Sequence, residues 1–140
     1  MIALDSNVLV RLVTRDDEAQ ALRAKAIFDA HNGEDGALFV SDIVLVEVCW
    51  VLERSYRLAH QEIVIVVRAL LDNRTIKLES PDAVRSALAD FDSEAVGFPD
   101  CLIVAKAICE GCSQTLTFDR RMASLPTWKS FDPDFSIPLE

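Results

Sequence analysis

Short apolar runs alternate along this chain with longer segments of helical period. Ile2-Ala3-Leu4 runs straight into Asp5, and a second apolar run, Val8 to Val10, follows with no Gly or Pro between. A buried parallel strand that ends in a polar turn and feeds a helix reads this way. The acids Asp16-Asp17-Glu18 then open a segment in which Ala19, Leu22, Ala26 and Ala30 fall on one face, closed by His31-Asn32-Gly33, so an amphipathic helix with a stop signal is expected. Ala37 to Val40 reads as a second strand, and Ser41 as the cap of a helix from about Ile43 to Tyr56. Residues 61–72 predict a helix, Thr75 to Leu78 a strand, and Pro81 to Phe91 a helix opened by Ser80-Pro81, a cap followed by proline at the first helical position. Phe98 to Glu110 is helical up to Gly111, Gln114 to Thr117 is a strand, and an edge strand is expected near Lys129 to Phe131.

Strands separated by helices, with no linker, repeat or low-complexity segment between them, imply an α/β fold whose mostly parallel sheet is covered on both faces. At 140 residues the chain has the size of one domain spanning 1–140, long enough to bury a core without disulfide or metal staples.

Composition changes this picture in three places. The 51% apolar and 26% charged residues are those of a soluble globular protein, and no apolar run approaches the length of a membrane span. The start lacks a basic region and meets Asp5 after four residues, so no signal peptide is expected and the location is expected to be cytoplasmic. The net charge of −9 argues against a broad basic face that would grip nucleic acid by its phosphates. It leaves open an enzyme that meets nucleic acid transiently through a metal.

Of the four cysteines, Cys49, Cys101 and Cys109 fall in apolar helical stretches, where a reduced thiol behaves as a small hydrophobe. Cys109 and Cys112 form a single C-x-x-C, and His31 and His60 stand far from it, so a structural zinc site is not expected.

Four acids do not fit the core pattern. Asp5 and Asp119 each end a predicted strand, where ligands bind in open α/β sheets, although an Asp there also serves as a helix N-cap. Glu47 has Ile43, Val44, Trp50 and Val51 at i±3 and i±4, an apolar face on which an acid needs an ion-pair partner or a function. Asp100 sits in a helix first turn, which the helix dipole favours whatever its role, and shares a face with Ile103 and Val104. One site explains all four acids more economically than four separate structural reasons. Carboxylates crowded about 5 Å apart repel by roughly 3 kcal/mol per pair at an effective dielectric of about 20. Two Mg²⁺ or Mn²⁺ ions would cancel the four charges, and oxygen-only ligation suits those hard ions. The sequence has no G-x-S-x-G, P-loop or H-E-x-x-H to compete.

At these residues the chain resembles a known family. Leu4-Asp5-Ser6-Asn7-Val8-Leu9, Val44 to Leu52 around Glu47, Phe98-Pro99-Asp100-Cys101-Leu102-Ile103-Val104-Ala105 and Thr117-Phe118-Asp119 look like the four acidic motifs of PIN-domain ribonucleases. The small single-domain form is similar to the VapC toxins of toxin–antitoxin pairs. The resemblance covers essentially the whole chain with the motifs in the family's order. Its departures are Cys101 where a small residue such as alanine is common, Val48 where leucine is more usual, and Pro99 at the start of its helix. None removes an acid.

The resemblance implies a three-layer α/β/α sandwich and a Mg²⁺- or Mn²⁺-dependent endoribonuclease. Its implied catalytic and metal-holding residues are Asp5, Glu47, Asp100 and Asp119, with Asn7 and Thr117 in support. It further implies RNA as substrate, a VapB-like antitoxin as partner, and a homodimer. Arg11, Arg15, Arg120 and Arg121 lie near the site acids in sequence and are candidates to hold the RNA backbone, or are solvated charges. A housekeeping RNA-processing nuclease with the same site, and a non-catalytic α/β interaction module, are the alternatives.

Overall fold

The computed structural model describes residues 1–93, 96–126 and 128–130. The elements run β1 (Ile2–Ala3), α1 (Ser6–Thr14), α2 (Glu18–Ala30), β2 (Leu38–Val40), α3 (Asp42–Arg54), α4 (His60–Asp72), β3 (Ile76–Leu78), α5 (Pro81–Ser93), α6 (Phe98–Cys109), β4 (Thr115–Thr117), a 3-10 turn (Arg120–Ser124) and β5 (Trp128–Ser130). Every predicted strand and helix is present, but β1, expected to be buried, lies exposed at the edge of its sheet: Ile2 is 47% exposed, and Leu4, just past the strand, is buried. Of the expected edge strand, Phe131 lies outside the described residues.

All strand pairings among the described residues are parallel, as the βα alternation requires. They form two groups, a three-stranded sheet in the order β1-β2-β3 and the pair β4-β5. Ala3 pairs with Phe39, and Phe39 with Lys77. Continued two residues further, that register brings Asp5, Ser41 and Glu79 level along one edge, the carboxyl ends of the strands. Backbone bonds hold it there, from Leu4 N to Phe39 O at 2.9 Å and from Glu79 N to Val40 O at 3.0 Å. With helices packed over the parallel strands, the fold is the α/β/α sandwich expected.

The core is built from both strand runs and helix faces. Leu38 and Val40 are buried on β2, and Leu45, Val48, Cys49 and Leu52 on α3. Val84 and Ala87 of α5 meet Phe98, Cys101, Leu102 and Val104 of α6 in the same cluster. Ser41 caps α3 as expected, its hydroxyl accepting from Val44 N at 3.2 Å.

Two helical faces differ from the sequence reading. On α2 the expected apolar stripe points outward: Leu22 is exposed, while Ala24 is buried and Ile27 and Phe28 pack against the core. Ile27 and Phe28 carry more apolar surface than the alanine stripe, and burial follows area. On α3 the side that carries Glu47 also faces out, with Ile43 79% and Trp50 52% exposed. Glu47 therefore needs no buried partner, and the unusual feature is the apolar company it keeps in solvent. The cysteines divide as well: Cys49 and Cys101 are buried, whereas Cys109 and Cys112 are exposed. Cys109 is the last residue of α6, beyond the stretch that packs inward. No disulfide forms among the described residues.

Candidate active site

Asp5 is the N-cap of α1, its carboxylate accepting from Ser6 N at 2.8 Å. The extended backbone of β1 stops there and the helix begins, so the capping account of Asp5 holds. It does not exhaust the residue, since Asp5 is exposed at the strand edge and Ser6 N occupies one oxygen. Asn7 follows in the first turn of α1. It shares with Glu47 a cleft of about 490 Å³ between α1 and α3, lined also by Ser6, Val10, Arg11, Val51, Ser55 and Tyr56.

Arg11 enters this cleft already engaged. Its guanidinium donates to Gln20 at 2.7 Å, Asp16 at 2.9 Å and the Tyr56 hydroxyl at 3.0 Å. Tyr56 in turn donates to Asp16 at 2.6 Å. The Tyr56 hydroxyl, then the Thr14 hydroxyl and then the charge of Arg11 outweigh desolvation and hold the Asp16 carboxyl below its ordinary range. This triad of Arg11, Asp16 and Tyr56 joins the first two helices to the end of the third. No local pattern in the sequence announces it, because the partners come from separate elements.

The second half of the site lies at α6 and β4. Asp100 is in the first turn of α6, whose N-cap, Gly97, offers no side-chain cap. It is half-buried, and its carboxyl is raised above the ordinary range, first by burial and then by the negative charge of Asp119, with Arg121 opposing. A helix N-terminus favours a negative charge, so desolvation and the second acid outweigh the placement that a purely structural account relies on.

Asp119 ends the β4 segment and is fixed from two sides. Its backbone N–H donates to the Thr117 hydroxyl at 2.9 Å, and its carboxylate caps the 3-10 turn by accepting from Arg121 N at 2.9 Å. The Arg121 guanidinium adds a forked contact, Nε at 3.0 Å and Nη2 at 2.7 Å. These bonds to Arg121 hold the Asp119 carboxyl below the usual range. Of the four arginines flagged from the sequence, Arg11 and Arg121 are thus committed to carboxylates, and Arg15 and Arg120 are exposed.

The structure therefore brings the predicted residues together as two sets. Asn7 and Glu47 share one cleft, and Asp100 and Asp119 share one electrostatic field, with Thr117 shaping the approach of Asp119. Asp5 stands at the carboxyl edge beside the first set. Among the described residues, no group of three or more His, Cys, Asp or Glu side chains has metal-holding spacing.

A sequence model of the PIN domain matches residues 2–127. The chain belongs to the PIN domain family. Among characterised relatives, a VapC ribonuclease of Aquifex aeolicus (strain VF5) is 26% identical over 125 residues, spanning 89% of this chain and 92% of that one. The crystal structure of Mycobacterium tuberculosis VapC20, described as a sarcin-ricin loop cleaving toxin, is similar over 96% of this chain and 92% of that one. Its identity is 20% and its TM-score 0.42, a superposition too loose to bear on the site. As a PIN domain the chain has the architecture that the strand and helix order predicted.

The donor chemistry fits a divalent metal of the magnesium type. All four acids offer carboxylate oxygens, the ligands hard cations take, and Asp100 is raised partly by the charge of Asp119, the repulsion that a cation between them would relieve. No helix among the described residues is long and apolar enough to cross a membrane.

Proposed function

We propose that this protein is a metal-dependent endoribonuclease that hydrolyses RNA phosphodiester bonds and acts as the toxin of a toxin–antitoxin pair. The observation that carries this reading is the pairing of Asp100, in the first turn of α6, with the charge of Asp119, just past β4, in a chain of the PIN family with a VapC relative. Unequal carboxylates in one field divide the labour of acid–base chemistry.

Asp5, Glu47, Asp100 and Asp119 would hold Mg²⁺ or Mn²⁺. When bound, such an ion supplies charge neutralisation at the phosphate and acidifies a water. The chain's own groups do the rest. Asp100, raised by its surroundings, is the carboxylate suited to accept a proton from the attacking water. Thr117 and Arg121 hold Asp119 in one orientation. Asn7 and Glu47 line the cleft into which the RNA strand would extend. No side-chain nucleophile is required.

The partners follow from the same chemistry. The Arg121 fork on Asp119 supports an antitoxin, VapB-like, whose Arg or Lys enters the acidic site, since these carboxylates accept a guanidinium readily. The homodimer rests on the family resemblance.

The test is RNA cleavage by wild type and by Asp5→Asn, Glu47→Gln, Asp100→Asn and Asp119→Asn, in Mg²⁺, in Mn²⁺ and in EDTA. Each substitution is expected to lower cleavage by about a hundredfold or more, on the order of losing one group that stabilises transition-state charge. Cleavage that survives in all four variants, or in EDTA, would overturn the reading. Growth arrest on expression, relieved by the antitoxin, separates the toxin from a housekeeping nuclease.

A further inference from the structure

Away from the acids, a polar knot sits at the ends of β2 and β3. Asp42, in the first turn of α3, is 8% exposed, a buried charged residue beside only Ser6 and Thr75 as buried polar residues among the described residues. Its Oδ2 accepts from the Lys106 ammonium of α6 and from the Ser80 hydroxyl at 2.8 Å. Lys106 Nζ also donates to Ser80 Oγ at 2.9 Å, and the Asp42 backbone N–H donates to Glu79 at 2.8 Å. Asp42 Oδ1 is buried with no hydrogen-bond partner among the described residues.

A serine beside a lysine invites a nucleophilic reading, which the electrostatics refuse. The hydrogen bond that Lys106 donates to Asp42 raises the lysine above its ordinary range. Burial pushes Asp42 up, but the hydrogen bonds of Lys106 and Ser80 and the lysine charge outweigh it and hold the carboxyl low. Lysine stays protonated and cannot serve as a base, and the serine proton is committed to Asp42.

What the knot does is join three elements. Asp42 begins α3, Ser80 immediately precedes α5, and Lys106 lies in the second half of α6. Glu47 stands five residues along α3 from Asp42, about 7.5 Å of helix rise, and Asp100 six residues along α6 from Lys106, about 9 Å. The two helices also pack on each other. We infer that the Asp42–Ser80–Lys106 knot is a strut that sets the spacing of Glu47 on α3 against Asp100 on α6, so that Asp42 and Lys106 are positioning residues for the nuclease site. The inference rests on the nuclease reading for its functional consequence, but not for its geometry. A buried charge is costly unless it is paired, and a pair whose members come from two helices makes one relative placement of those helices much the cheapest.

Geometry and activity can be read separately. For the first, nitroxide labels are placed on Ile43→Cys and Ile103→Cys, both exposed, in a Cys109→Ser, Cys112→Ser background, and the α3–α6 distance is measured by pulsed electron resonance. For the second, kcat and KM for RNA and the Mn²⁺ concentration for half-maximal activity are measured. The variants are Asp42→Asn, Ser80→Ala, Lys106→Met and Lys106→Arg. Should Lys106→Met fail to fold, Asp42→Asn decides the matter, because the lysine it frees is 42% exposed and can turn to water.

A narrow distance distribution in the parent should broaden or shift in Asp42→Asn and Lys106→Met. Their kcat should fall roughly 10–100-fold, the range seen when groups that orient metal ligands are removed, with a higher Mn²⁺ requirement and KM within about twofold. Lys106→Arg, which keeps the charge and offers more donors to Asp42, should recover most of both. An unchanged distance in folded Asp42→Asn and Lys106→Met overturns the strut. If the parent cuts no RNA yet the distance still depends on the knot, the strut stands and the nuclease reading falls.

Discussion

Burial raises the carboxyl pKa of Asp100 and the charge of Asp119 raises it further, while Arg121 holds Asp119 itself low. The two acids therefore answer oppositely to neutralisation. In metal-free buffer Asp100→Asn should melt higher than wild type near neutral pH, since ionised Asp100 is disfavoured in the fold. A raised folded pKa means this gain is largest above the folded value and disappears as pH falls through the window down to the ordinary carboxylate range. Asp119→Asn should melt lower, having lost the charge that pairs with Arg121. Thermal unfolding in EDTA across pH decides both signs, and a uniform rise for all site variants would contradict the pairing.

Metal should separate the acids from purely structural ones. An ion that binds only the folded chain stabilises it by about 2.7 kcal/mol at a hundredfold excess over its dissociation constant. Wild type should show that upward shift in Mg²⁺ or Mn²⁺, and Asp5→Asn, Glu47→Gln, Asp100→Asn and Asp119→Asn should each lose part of it. Full stabilisation of all four would remove them from the metal site.

The Tyr56 hydroxyl is the largest influence depressing Asp16. A depressed carboxyl contributes stability above its unfolded pKa and loses it as pH falls through the folded value. Tyr56→Phe should therefore be less stable than wild type at neutral pH, with a shallower loss on acidification, and the two curves should draw together in strong acid. Urea denaturation at a series of pH values measures this; parallel curves would show that the hydrogen bond contributes nothing.

Thiol chemistry should split the cysteines in two. Cys109 and Cys112 are exposed, whereas Cys49 and Cys101 are buried, and burial first, then the charge of Glu53, pushes the Cys49 thiol up to about 12. Ellman's reagent at neutral pH should modify Cys109 and Cys112 promptly, and the other two only on unfolding.

Leu52 is fully buried on α3, the helix that carries Glu47. Leu52→Ala should cost about 2–5 kcal/mol, the usual range for such a cavity, measured by chemical denaturation. A cost near zero would mean that α3 is not held by this face.

Much of this protein was legible in the order of its residues. Strand and helix succession comes from local hydrophobic period, caps and stops, such as Ser41 before α3 and Gly111 after α6, and those signals act over a few residues. Parallel pairing followed, since helices stand between the strands, and with it the placement of Asp5 and Asp119 at the carboxyl ends of β1 and β4. The acidic motifs were visible for the same reason. Which helix face turns inward was not decided locally: Glu47 lies among apolar neighbours that the fold leaves in solvent, and on α2 the core takes Ala24, Ile27 and Phe28 rather than the alanine stripe. The partners of charged groups lay further out of reach. Asp42 meets Ser80 and Lys106, and Arg11 meets Tyr56, only because the tertiary structure brings distant segments together. A side chain's pKa, and whether its charge is spent on a neighbour or left for chemistry, depends on what stands within a few ångströms in space, which the spacing of residues along the chain does not specify.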